Sequence, residues 1–190
     1  HLLELEPGDL HEEEAGARLA QAVIGNGVHV KGYTGGQWSL TATRRGLFKV
    51  RPEPLWRVNA LEGISVFTLF DGQPVEAGEV VAKAKVTPLA IAGATVVEIE
   101  RIARDAGGVL LVRSFKPFTV GAVARESLDE KQRKRFESAL KEKIDWFGSR
   151  LLPIRYAASN PQSVAKELQE LKDSGAQLLI VAGASALDPL

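Results

Sequence analysis

The alternation of apolar runs with amphipathic segments near the carboxyl end constrains the fold of this chain more than any other feature. Short apolar runs at residues 119–123, 151–156 and 177–181 predict three strands. The segments between them have helical periodicity, with apolar positions at Phe136, Leu140, Ile144 and Phe147 and then at Val164, Leu168 and Leu171. Because helices joining such strands through short connections form right-handed crossovers, this part predicts a parallel sheet that is half of a doubly wound α/β domain.

The ends of these two helices are also marked in the sequence. Ser127 followed three residues later by Glu130 fits a capping box, which predicts the start of the first helix. Asn160 with Pro161 at the first helical position opens the second helix, and Gly175 ends it. The connecting loops therefore begin directly after the strands, where open parallel sheets bind their ligands.

Residues 28–88 have a different pattern, in which short alternating apolar runs are separated by Gly and Pro. This pattern predicts a β-rich module. Within it, residues 71–82 look like a segment of the biotinyl/lipoyl-type barrel sandwich, with glycines at tight turns and valines toward the core. Lys83 and Lys85 follow that segment and alternate along a predicted strand, whereas the attachment lysine of a carrier domain lies in an exposed hairpin.

Helical segments flank this module on both sides. Asp9 followed by Glu12 fits a capping box, which predicts a short amphipathic helix from about residue 10 to residue 24. Residues 94–106 carry apolar side chains interleaved with charged ones, which predicts a short surface helix.

We expect the boundary between the two parts of the chain within residues 113–117. Residues 1–112 would then form an amino-terminal helix with a β-rich, barrel-sandwich-like module. Residues 113–190 would form the first half of the α/β domain, with its partial doubly wound parallel sheet.

The composition excludes several classes of function. The chain has 24 Lys and Arg and 24 Asp and Glu, so its formal charge is zero and no bulk attraction to nucleic acid or an anionic membrane is expected. No apolar run approaches the roughly 18 residues that cross a bilayer, and the start of the chain lacks the pattern of a signal peptide, so we expect a cytoplasmic protein. The absence of Cys excludes disulfides and thiolate nucleophiles, and the three His are not spaced as metal ligands.

Three stretches of the chain resemble one known family. Residues 115–121 (Phe-Lys-Pro-Phe-Thr-Val-Gly) and the final loop over residues 183–189 look like the molybdopterin-binding proteins of the MogA/MoeA superfamily. Residues 4–15 resemble the segment that precedes the binding domain in a long bacterial subgroup of that family. The resemblance implies a protein that binds a phosphorylated pterin, molybdopterin or its metal-loaded form, at the carboxyl ends of parallel strands. It also implies a role in the synthesis or handling of the molybdenum cofactor and, if the protein is an enzyme, a transferase of that biosynthesis.

The resemblance places candidate binding residues in the loop after the first strand of the α/β part. Where the family usually has Thr-Gly-Ser-Glu, this chain has Arg-Glu-Ser-Leu at residues 125–128. The Arg125 guanidinium can pair bidentately with a phosphate, or it can form a surface salt bridge with Glu126 or Asp129. Ser127 can offer its hydroxyl to a ligand, or it can cap the helix that follows.

The second candidate loop follows the last predicted strand. Where the family usually has Thr-Gly-Gly, a small residue and Ser, this chain has Ala-Gly-Ala-Ser-Ala at residues 182–186. These residues can present backbone N–H groups to an anion or form a tight turn without a ligand. Asp188 matches an acidic position of the family loop and can hold a pterin amino group or Mg²⁺, or it can start an Asp-Pro turn. The predicted site therefore consists of Arg125, Ser127, Gly183, Ala184, Ser185 and Asp188.

Two alternative functions stay open. In the first, the domain is degenerate, its altered loops bind no ligand, and the β-rich module makes protein contacts that include homo-oligomers. In the second, the β-rich module is a lipoyl-like carrier modified on a lysine. The chain starts at His1 and has no Met, and the resemblance implies a binding domain about twice as long as the part present here. We therefore also expect a fragment, cut or disordered at both ends.

Overall fold

The computed structural model describes residues 5–125, 128–158 and 160–183. The chain divides into two compact units, His1–Ser114 and Phe115–Leu190. The chain is of mixed α/β type, with mainly antiparallel sheets in the first unit and a parallel sheet in the second. In the described residues, no helix is both long and apolar enough to cross a membrane.

The first unit is built mainly from antiparallel strands. Its elements follow the chain in the order β1 (Asp9–His11), α1 (Glu12–Val23), β2 (Val28–Thr34), β3 (Gln37–Ala42), β4 (Gly46–Val50), α2 (Pro52–Asn59), β5 (Ile64–Thr68), β6 (Pro74–Val75), β7 (Val80–Val86), β8 (Ala90–Ala92), α3 (Gly93–Asp105) and β9 (Leu110–Arg113). One sheet has the order β2-β3-β7-β5, a second has the order β6-β4-β9, and β1 pairs with β8. These sheets agree with the β-rich pattern of residues 28–88.

The amino-terminal helix begins later than the sequence predicts, and the proposed capping box is wrong. Asp9 lies in β1, where it pairs with Ala92 of β8. The N-cap of α1 is His11, whose Nδ1 accepts a hydrogen bond of 3.3 Å from the Glu13 N–H. Since Asp9 is held in a strand, its carboxylate is too far back along the chain to cap the helix.

Helix α2 lies inside the segment predicted to be β-rich. It has eight residues and starts with Pro52, which suits the first turn of a helix because the missing N–H has no partner there. Asn59 at its end binds the neighbouring strand β5, donating to the Val66 carbonyl at 3.1 Å and accepting from the Val66 N–H at 2.8 Å. Because α2 spans only two turns, it leaves too little periodicity for the sequence to reveal it.

The core of the first unit forms where helices α1 and α3 pack together and against the sheets. Helix α3 has the two faces of the predicted surface helix, with Val96, Ile99 and Ile102 buried and the opposite face exposed. The largest side chains without exposed surface include Phe48 from β4 and Leu19 from α1. Burial of such side chains contributes about 1.5–3 kcal/mol each, so this shared core stabilises the whole unit.

The second unit contains a parallel sheet whose central strand is β10. Its elements are β10 (Thr119–Ala124), α4 (Glu130–Trp146), β11 (Arg150–Leu151), β12 (Arg155–Tyr156), α5 (Pro161–Asp173) and β13 (Leu178–Ala182). Strands β11 and β12 pair with one side of β10 and β13 pairs with the other, all in parallel. The prediction of a parallel sheet here is confirmed.

The second predicted strand, over residues 151–156, is split into two short pieces around Pro153. Val120 pairs with Leu151, and Val123 pairs with Arg155, so this side has one residue more than β10 between the two pairs. Pro153 has no N–H to donate to a ladder, which accounts for the interruption. The result is a bulged edge where the sequence indicates a continuous strand.

Helix α4 is capped by residues other than the predicted pair. Its N-cap is Asp129, whose Oδ1 accepts a hydrogen bond of 2.8 Å from the Gln132 N–H. The Gln132 side chain accepts in turn from the Asp129 N–H at 2.9 Å, which completes a capping box. The predicted box of Ser127 and Glu130 is therefore wrong for this helix, because Glu130 is its first residue, and Ser127 lies outside the described residues.

Candidate functional site

The carboxyl ends of three parallel strands lie side by side at one edge of the second unit's sheet. The Arg125 N–H donates a hydrogen bond of 2.8 Å to the Ala182 carbonyl, directly beyond the last paired residues of β10 and β13. On the other side, the Ala157 N–H donates to the Ala124 carbonyl at 3.0 Å, just after β12 ends. The loops that follow β10 and β13 therefore start from adjacent positions.

Two of the predicted binding residues fall at this edge. Arg125 follows β10 directly, and Gly183 follows β13 directly, so the sheet brings them together. Gly183 has a φ of 116°, a conformation that favours glycine over any residue with a side chain. Ser127, Ala184, Ser185 and Asp188 lie outside the described residues, and their roles stay predictions.

A cleft of about 280 Å³ opens beside these strand ends. It lies between Arg125, Val181 of β13 and the first turns of α5, and its lining residues are Arg125, Pro161, Val164, Ala165, Leu168 and Val181. The start of α5 is held by Asn160, whose Oδ1 accepts from the Ser163 N–H at 2.8 Å. The cleft thus combines an apolar wall with one guanidinium group.

Gly121 in the middle of β10 allows α5 to approach the sheet closely enough to form that wall. A Cβ atom at Gly121 would lie 3.0 Å from the Cβ of Leu171 and 3.1 Å from the Cδ2 of Leu179. Leu171 is the buried residue of α5 and packs over this position. A side chain at residue 121 would push α5 away and widen the cleft.

Tyr156, which ends β12 level with Ala124, is a further polar group near these strand ends that the sequence pattern does not single out. Its hydroxyl donates to Glu137 Oε1 at 2.8 Å, and the Arg133 guanidinium lies 4.4 Å from the centre of its ring. Burial raises the pKa of the Tyr156 hydroxyl, and the hydrogen bond to Glu137 raises it further. The hydroxyl therefore stays protonated at neutral pH and can act as a hydrogen-bonding group, not as a base. In the sequence, the one feature that points to Tyr156 is its position at the end of the predicted strand over residues 151–156.

The described residues offer little support for a metal site or for a carrier lysine. Within residues 5–125, 128–158 and 160–183, no group of three or more His, Asp or Glu side chains is arranged to hold a metal ion. Lys83 and Lys85 lie inside β7, which pairs with β3 on one side and β5 on the other. This position differs from the exposed hairpin that a carrier lysine requires.

No protein-family model, no curated protein and no solved structure matches this chain.

Proposed function

We propose that this protein binds molybdopterin, or the molybdenum cofactor, in the cleft beyond β10 and β13, in the synthesis or handling of that cofactor in the cytoplasm. The observation that carries the proposal is the adjacency of the two strand ends, joined by the hydrogen bond from Arg125 to Ala182. Because this cleft lies at carboxyl ends of parallel strands, it occupies the usual position of a ligand site in an open α/β sheet.

The strand order supports this position further. The chain leaves β10, forms β11 and β12 on one side of it, and then returns to form β13 on the other side. Such a reversal of order is the switch point of a doubly wound sheet, and the crevice at a switch point is where such sheets bind nucleotides and related ligands. We therefore propose that the second unit is part of a doubly wound domain.

The chemistry of the cleft suits a phosphorylated pterin. Arg125 supplies a planar cation that can pair with a phosphate through two parallel hydrogen bonds. Val181 and Leu168 supply apolar surface on which a flat ring system can pack. Gly183 leaves room for the ligand to approach the backbone, and Ser127, Ala184, Ser185 and Asp188 would complete the site, with Asp188 as the candidate for Mg²⁺.

This proposal predicts a binding defect specific to Arg125. We expect isothermal titration of the full chain with molybdopterin to show binding, and Arg125→Gln to weaken it by about tenfold or more through loss of a charge-assisted hydrogen bond. Arg135→Gln, which removes the same charge from the exposed face of α4, serves as the control and should change affinity by less than about twofold. Absence of binding to the wild-type chain, or equal losses in the two variants, would contradict the proposal.

A second candidate function is assembly, favoured by exposed apolar side chains on β13. Leu178 and Val181 each keep 47% of their surface exposed on a strand that pairs only with β10 in the described part of the sheet. Strands of parallel sheets are usually covered on both faces, and an uncovered apolar edge promotes association. In this hypothesis the altered loops bind no ligand and the chain pairs with a second copy.

Light scattering tests the assembly hypothesis without any ligand. If β13 forms an interface between two copies, the wild-type chain should have twice the mass of a single chain, and Leu178→Lys should reduce it to the single-chain mass. Leu89→Lys changes a leucine of the other unit that is at least as exposed as Leu178, and it should leave the mass unchanged. A single-chain mass for the wild type would rule this hypothesis out.

A further inference from the structure

The first unit has a cleft of its own that the proposed function does not use. It has a volume of about 340 Å³ and lies between the loop after α1, the loop before β4 and the end of β9. Its lining residues are Asn26, Arg44, Leu111, Val112, Arg113 and Ser114. The lining thus contains two arginines, an amide and a hydroxyl but no carboxylate, which makes it locally positive.

The backbone around Arg44 is held in place by hydrogen bonds between the two loops and β9. The Val112 N–H donates to the Asn26 carbonyl at 2.8 Å, and the Thr43 N–H donates to the Gly27 carbonyl at 2.9 Å. The Arg44 guanidinium then donates from Nη2 to the Asn26 side-chain carbonyl. This arginine is therefore positioned before any ligand arrives, which lowers the entropic cost of binding.

Gly27 makes this arrangement possible because it has no side chain. A Cβ atom there would lie 2.6 Å from the Val112 carbonyl oxygen and 3.0 Å from Arg44 Nε. The guanidinium therefore packs against bare backbone. Its Nε is buried and has no hydrogen-bond partner within the described residues.

Neither arginine of this cleft is neutralised by a described carboxylate. Other arginines of the unit are paired, as in the contacts of 2.8 Å from Arg45 to Glu76 and from Arg18 to Glu100. The Arg113 side chain is exposed and forms no hydrogen bond or ion pair with any residue that the structure describes. Two cations that share a cleft without a counter-charge repel each other, and an anion between them would relieve that repulsion.

We propose that this cleft binds the phosphate group, or a similar small oxyanion group, of a small-molecule ligand. Guanidinium groups recognise phosphate and carboxylate through paired hydrogen bonds, and Arg44 and Arg113 both line this cleft. Asn26 and Ser114 add neutral polar groups. The volume of about 340 Å³ is at the low end of small-molecule pockets, so it suits a group larger than a bare ion. This site belongs to the first unit, whereas the cleft beside β13 belongs to the second.

Titration of the full chain with inorganic pyrophosphate, and separately with citrate, tests this site. We expect pyrophosphate to bind, and Arg113→Gln to weaken that binding by about tenfold or more, since it removes a charge-assisted pair. Arg45→Gln is the matched control, because it removes the same charge next to the cleft from an arginine that pairs with Glu76. It should change affinity by less than about twofold. A stronger response to citrate would assign the site to carboxylates.

Three outcomes would overturn the proposal. They are no binding of either anion, equal weakening by Arg113→Gln and Arg45→Gln, and loss of binding in Arg125→Gln, which would place the anion in the second unit. Because Arg113 is exposed, its substitution should not affect folding. As a second measurement, pyrophosphate should shift the NMR signal of the Arg44 Nε–H in the wild-type chain and leave that of Arg45 unchanged.

Discussion

Replacing Phe48 by Ala is expected to lower the free energy of unfolding of the first unit by about 4 kcal/mol. Phe48 has no exposed surface and lies on β4, where it pairs with Val112 of β9. Truncation removes the buried ring and leaves a cavity that a closely packed core fills only in part. Urea denaturation followed by circular dichroism measures the change as a lower midpoint at an unchanged slope.

Phe70→Ala provides the control for this prediction. Phe70 lies outside the strands and keeps 86% of its surface exposed, so its truncation should cost no more than about 0.5 kcal/mol. Equal costs for the two substitutions would mean that Phe48 is not a core residue and that β4 does not cover the interior of the unit.

Gly27→Ala is expected to lower the free energy of unfolding by about 3 kcal/mol. Gly27 has a φ of 87°, a conformation that costs a residue with a side chain about 1 kcal/mol. The new Cβ would also lie 2.6 Å from the Val112 carbonyl oxygen, so β9 or the loop must shift, at a further cost of about 2 kcal/mol. Because this shift also displaces Arg44, the same variant should bind pyrophosphate less tightly.

Gly78→Ala separates the cost of the backbone conformation from the cost of the steric clash. Gly78 has nearly the same φ, 86°, but in the described residues no atom beyond its chain neighbours lies within 4 Å of the position its Cβ would take. Its substitution should cost only the conformational part, about 1 kcal/mol. Denaturant titrations of both variants give the difference, and equal values would show that the close approach of Gly27 to β9 does not exist.

The elements of the second unit could be predicted well because their signals are local. The stripe through Val164, Leu168 and Leu171 lies within one helix, and the Asn160 cap with Pro161 lies within one turn of its start. The wrong capping box of α4 is a local error, since the true pair, Asp129 and Gln132, lies in the same short segment. Other errors arose where a distant element determines the outcome. The spacing of Asp9 and Glu12 predicts a helix cap, but Asp9 pairs with Ala92 in β8, and no short window of sequence contains that contact.

The candidate sites show the same division between local and distant information. Arg125 and Gly183 could be chosen from the sequence because a loop that follows a buried strand is a local feature, and parallel strands end at a common edge. The contacts of Tyr156 with Glu137 and Arg133 could not be predicted from the sequence, since they depend on how α4 packs beside β12.

By itself, the sequence determined the parallel sheet of the second unit, its two helices and the loops that follow its strands, where a ligand site is expected. Only the tertiary structure decided that Asp9 lies in a strand paired with β8, and that Arg44 and Arg113 share a cleft without a carboxylate. The physical reason is that periodicity and capping act over one or two turns of chain. Burial and charge pairing, in contrast, act between residues that only the folded chain brings together.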